Sequence, residues 1–80
     1  MRNGLEKEYR ILDAYLSAWL ILQGVAPTLI NEGAKIVFSF PASKKLFDAI
    51  SKYNNGATVE VAKFVLTVKS LKAQIFSRKM

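Results

Sequence analysis

Lys69, Lys72, Phe76 and Lys79 fall three and four residues apart. On a helix this spacing places them on one face. Arg78 is adjacent, and the stretch from Val61 to Met80 carries five bases and no carboxylate. Ammonium groups neutralise phosphates, and an aromatic ring among them can stack on an unpaired base. This is the chemistry of a nucleic-acid surface without sequence preference. Lys44, Lys45 and Lys52, on a preceding helical stretch, extend the candidate set. A blander account stands beside it. Cations near a helix C-terminus complement the helix dipole with no ligand involved, and Phe76 can equally serve a core or an interface. No established nucleic-acid motif accompanies these residues.

Other chemistry finds little to work with. The chain has no histidine and no cysteine. It therefore lacks the usual acid-base group near neutral pH, the usual metal ligands and any disulfide. Its glycines, Gly4, Gly24, Gly33 and Gly56, are too scattered for a phosphate-binding loop. Glu6 and Glu8 are two apart and would diverge on a helix. A serine nucleophile would have no histidine base. The expectation is a non-enzymatic protein with no cofactor and no metal. Trp19, Tyr9 and Tyr15 read as core aromatics rather than a ligand pocket.

The charge is unevenly spread. Met1 to Phe40 holds four bases and four acids, whereas Pro41 to Met80 holds eight bases and two acids, so the whole excess of +6 lies in the second half. Such asymmetry points to an anionic partner, nucleic acid or a nucleoprotein. A charge that only keeps the protein in solution is the competing account. Eighty residues form a single small domain. A domain this small has little core, yet 51% of its residues are hydrophobic and its mean hydropathy is +0.17. Some apolar residues are then left outside, which favours a homo-oligomer. The face expected to be covered is that of Leu29 and Val37, or the spare apolar side of the first helix. The longest strongly apolar stretch, Ala14 to Leu22, is far short of a bilayer span. Glu6, Glu8 and Asp13 interrupt what could otherwise be a signal leader. No membrane contact and a cytoplasmic location are expected.

The elements that must position these residues read as helix, β-hairpin, helix, helix, an α+β fold in the order α-β-β-α-α. Leu5, Tyr9, Leu12, Leu16 and Trp19 form an apolar stripe opposite Glu6, Arg10, Asp13 and Ser17, predicting a first helix over about 5–23. Past Ala14 it is apolar nearly all round, as a buried central helix would be. Gly24 ends it. Thr28 to Ile30 and Lys35 to Phe40 flank a turn with Asn31 and Gly33, a hairpin signal. Pro27 makes the first of these an edge strand or starts it later. Ile36, Phe38 and Phe40 should face the helices. Since a lone hairpin is marginal, it must lean on the helices or pair with another chain. Pro41 stops the second strand. Helices over about 43–53 and 60–78 follow, with Leu46, Ile50 and Tyr53, then Phe64, Val68, Leu71 and Ile75, turned inward. The expected core is Leu16, Trp19, Leu20, Phe38, Phe40, Leu46, Ile50, Phe64, Val68 and Leu71, with residues 1–4 disordered and 78–80 frayed.

One pattern runs across most of this. Asp13, Leu16, Leu20 and Gly24 are followed by Ile36-Val37-Phe38-Ser39-Phe40, by Tyr53-Asn54-Asn55-Gly56, by Val59-Glu60 with Phe64, and by Leu71-Lys72. The sequence thereby resembles an uncharacterised family of small bacterial and phage-associated proteins, a domain of unknown function. The resemblance implies no catalytic residues and a phage or mobile-element setting. The chain departs from it at Glu60-Val61, where Asp-Pro would make a stronger helix start, so Thr58 is an alternative cap.

Overall fold

The computed structural model describes residues 8–79. Its elements run β1 (Glu8–Ile11), α1 (Ala14–Leu22), β2 (Thr28–Glu32), β3 (Lys35–Pro41), α2 (Lys44–Asn54) and α3 (Val61–Lys79). The class is α+β as expected, but the order is β-α-β-β-α-α. Residues 1–4 and Met80, expected to be disordered or frayed, lie outside the described residues.

Of the long first helix predicted over 5–23, residues 5–7 lie outside the described residues, and from Glu8 on it is replaced by a strand and a shorter helix. Glu8-Tyr9-Arg10-Ile11 alternates polar and apolar, which suits a strand as well as a helix face. Asp13 decides between them. Its backbone is extended, and its carboxylate accepts from the amides of Tyr15 and Leu16. This is the N-cap arrangement, so the helix can start only after it. At the other end Gly24 (φ +90°) carries a Schellman closure. Its amide donates to the Ile21 carbonyl, and that of Val25 to the Leu20 carbonyl. Ser43 caps α2 by accepting from the Leu46 amide. The Glu60 carbonyl accepts from the Phe64 amide, so Glu60 rather than Thr58 takes the capping position of α3.

β1 joins the hairpin to make a three-stranded antiparallel sheet in the order β1-β3-β2. The hairpin therefore gains its support within the chain. Tyr9 lies opposite Phe40 and Ile11 opposite Phe38 on one side of β3, while Leu29 lies opposite Phe38 on the other. These residues face the helices. Leu29 and Val37, expected to share a second face, are on opposite faces, because Val37 pairs with Ile30. β2 is an edge strand that begins at Thr28, just past Pro27.

One helical layer covers one face of the sheet, and the Cα positions span only 17 Å in the thinnest direction. α1 lies centrally and contacts both α2 and α3. Ser17, Ala18, Trp19 and Leu20 are buried. They share a core with Ile11, Val25, Phe38, Phe40, Leu46, Ala49, Val68 and Leu71. Of the expected core residues, Leu16, Ile50 and Phe64 are partly buried against this cluster rather than enclosed by it. The Trp19 indole donates to the Ala49 carbonyl at 2.9 Å, tying α1 to α2. On the far face of the sheet, Arg10 of β1 pairs with Glu32 of β2 across β3, and Glu8 accepts from the Ser39 hydroxyl. The Arg10–Glu32 pair spans β3 and Glu8 reaches it, on a face where Val37 and Ser39 are buried and no helix among the described residues packs. No helix among the described residues is long and apolar enough to cross a membrane.

Candidate nucleic-acid interface

α3 begins at Val61, which puts Phe64 in its first full turn and Lys69 and Lys72 one and two turns further along. Val68 and Leu71 turn inward, so the neighbouring positions 65, 69, 72 and 76 flank the buried stripe on one side. α1 starts at Ala14, which leaves Tyr15 in its first turn and 48% exposed. Tyr15 and Phe64 stack with centroids 6.3 Å apart. Together with Val65, Val68, Lys69 and Lys72 they line an open cleft of about 250 Å³. Lys72 Nζ lies 5.1 Å from the centre of the Tyr15 ring and donates to its hydroxyl at 3.4 Å. An ammonium over a ring face is attracted by the ring quadrupole, which holds Lys72 beside the cleft. Neither Lys69 nor Lys72 has a carboxylate partner among the described residues. Phe76, one turn beyond Lys72, is 68% exposed. The cleft thus has aromatic and aliphatic walls with two ammonium groups at its rim.

The eight candidate residues are not brought together in one concavity. Lys44, Lys45 and Lys52 line a different one, of about 400 Å³, with Gln23, Asp48 and Ala49. Lys44 is engaged by Asp48 at 2.8 Å, and that hydrogen bond, with the carboxylate's charge, raises its pKa above the usual lysine value. Lys45 reaches the carbonyl end of α1, where a Cβ on Gly24 would lie 3.2 Å from its Nζ. α1 has no basic residue in its own last turn, so Lys45 supplies the cation its dipole favours there. Arg78 lines a groove with the Gly33-Ala34 turn and Ile36, under the tip of the hairpin. Lys79 is the last residue of α3.

The sequence pattern placed Lys69, Lys72 and Phe76 on one face, and missed Tyr15 and Phe64 as their companions. Trp19 is core, as expected. Tyr9 and Tyr15 are not, being 43% and 48% exposed. The missed signal was Asp13. A helix that starts there leaves Tyr15 at an exposed end rather than in mid-helix.

Residues 6–77 match the family described as Domain of unknown function (DUF5659). The chain belongs to the DUF5659 family. Comparison with curated proteins finds no match, and neither does comparison with solved structures. The matched span takes in the six elements of the described residues apart from the last residues of α3, and with them every residue of the Tyr15–Phe64 cleft.

Proposed function

We propose that this domain is a non-enzymatic module that binds single-stranded nucleic acid, free or in a nucleoprotein, along the Tyr15–Phe64 side of α3. One observation carries the proposal. A stacked aromatic pair, half-exposed Tyr15 and partly buried Phe64, lines a cleft rimmed by two ammonium groups without carboxylate partners among the described residues. Unpaired bases offer flat π-faces for Tyr15, Phe64 and Phe76, and the backbone phosphates follow the lysines. A duplex keeps its bases stacked on each other and would use only the charge. The lack of acids after Glu60 extends the cationic surface along the helix. A cytoplasmic location goes with this reading.

The test is a titration of the protein against a labelled single-stranded homopolymer and a duplex, each at two salt concentrations. Tighter binding to the single strand is expected, with affinity falling linearly in a double-logarithmic plot against salt. Lys69→Ala and Lys72→Ala should each lower that slope by about one unit. Tyr15→Ala should weaken single-strand binding by roughly 1–3 kcal/mol and leave duplex binding nearly unchanged. No binding to either at low salt would overturn the proposal.

A further inference from the structure

β3 is paired on both sides, whereas β1 and β2 each leave one side unpaired among the described residues. Unpaired backbone donors and acceptors on a strand edge are a template for another strand. The two edges differ in what lies beside them. Next to β1, the Tyr9 ring meets Phe47 of α2 edge-to-face, with centroids 5.4 Å apart. Both rings are nearly half exposed, 43% and 46%. They form an apolar lip along an open edge. The apolar residues of β2, Leu29 and Ile30, are already partly covered within the chain.

β1 is also complementary to itself. Two copies of an edge strand can pair about a two-fold axis perpendicular to the sheet. They then run antiparallel, and each face of one sheet continues into the same face of the other. Only residues of the same face can lie opposite each other. Centred on Tyr9, this arrangement sets Tyr9 against Tyr9 of the second copy on the helix-covered face. On the other face it sets Glu8 against Arg10 and Arg10 against Glu8. Opposite charges directly across a strand pair favour a register, and like charges oppose it. The neighbouring symmetric register, centred on Arg10, would place two guanidinium groups face to face. β2 has no such match, since centring on Ile30 sets Thr28 against Glu32 and Leu29 against Asn31.

We infer that a second copy of this chain docks edge to edge on β1, in the register that places Tyr9 opposite Tyr9. The product is a continuous six-stranded sheet with the Tyr9 and Phe47 rings of both copies covered. The inference is independent of nucleic-acid binding, because it uses a different edge of the molecule and none of the α3 residues.

Sedimentation of the full chain over a range of concentrations tests it. The unchanged chain is expected to shift from monomer to dimer mass as concentration rises. Glu8→Arg makes the strand doubly cationic and Arg10→Glu makes it doubly anionic. Each variant alone should raise the dissociation constant about tenfold or more. An equimolar mixture of the two should recover the dimer, because every cross-strand charge pair is then attractive. Glu8 and Arg10 also have partners within their own chain. Phe47→Ala therefore serves as a second variant that leaves the strand intact, and it too should weaken the dimer. Ile30→Lys, on the edge of β2, should leave the mass distribution unchanged. A monomer at every concentration, a mixture no better than its components, or a dimer lost only with Ile30→Lys would each overturn the inference.

Discussion

Tyr53 shows what a single side chain's surroundings do. It ends the inward stripe of α2, its ring lies 6.4 Å from that of Trp19, and it is partly buried. Burial raises its phenol pKa above the ordinary value, and the charge of Asp13, the cap of α1, raises it further. A pKa raised on folding means that the folded state prefers the neutral phenol. The resulting stability is complete below the unfolded value of about 10 and is lost as pH rises through the folded value. Lys44 shifts in the same direction through Asp48, so it too favours the folded state below its ordinary pKa. Lys44 is fully exposed, and solvent screens its share. The melting temperature should therefore fall above about pH 10. Tyr53→Phe should make that fall shallower and remove one phenolate step from the ultraviolet titration. An identical alkaline decline in the variant would mean that Tyr53 is not coupled to folding. Sequence spacing alone located Tyr53 and its inward direction. It could not show that a carboxylate 40 positions away in the chain faces it. For the same reason Lys69 and Lys72 were legible as a pair, whereas their approach to Tyr15 was not.

At the scale of elements, periodicity served well where only one period fitted. The inward stripes of α2 and α3 and the alternation of β3 were unambiguous, and the structure holds them. It failed between residues 8 and 13, where Tyr9 belongs equally to a stripe of period 3.6 and to a strand of period 2. A local signal, the Asp13 cap, settles that competition, together with a non-local one, the free side of β3 that β1 fills. The second was not readable from the chain. The ends of the helices were better marked. Gly24 and Gly56 both follow helix C-termini with positive φ, +90° and +87°. A residue with a Cβ pays roughly 1–2 kcal/mol in that region. Gly24→Ala and Gly56→Ala should therefore each destabilise the domain by about that amount in denaturant unfolding. The added methyl at position 56 meets nothing within 4 Å, while that at 24 meets only the mobile end of Lys45. Similar costs at the two sites would show that backbone conformation dominates. A cost near zero at Gly24 would mean that α1 does not need its Schellman closure.

At the scale of the whole molecule, one cluster holds the layers together. Phe38 and Phe40 reach it from the central strand, Trp19 and Leu20 from α1, Leu46 and Ala49 from α2, and Val68 and Leu71 from α3. Phe38 and Phe40 are fully buried, and Ile11 opposite Phe38 brings β1 into the same cluster. No other apolar centre among the described residues joins sheet and helices, so loss of this one cannot be confined to a single element. Truncating a buried Phe or Trp to Ala typically costs about 3–5 kcal/mol. A domain of this length has a total stability of roughly 4–12 kcal/mol. Phe38→Ala and Trp19→Ala are thus each expected to remove a large part of it. Trp19→Ala also leaves the Ala49 carbonyl without its indole donor. Leu66, 67% exposed on the outer side of α3, is the contrasting position. Leu66→Ala should change stability by no more than about 0.5 kcal/mol. Chemical denaturation followed by far-ultraviolet circular dichroism checks all three. For Phe38→Ala, helix content and tryptophan fluorescence should be lost in one coincident transition, because the single cluster couples them. If Phe38→Ala and Trp19→Ala left the midpoint unchanged, or if the two probes separated, sheet and helices would not share one core.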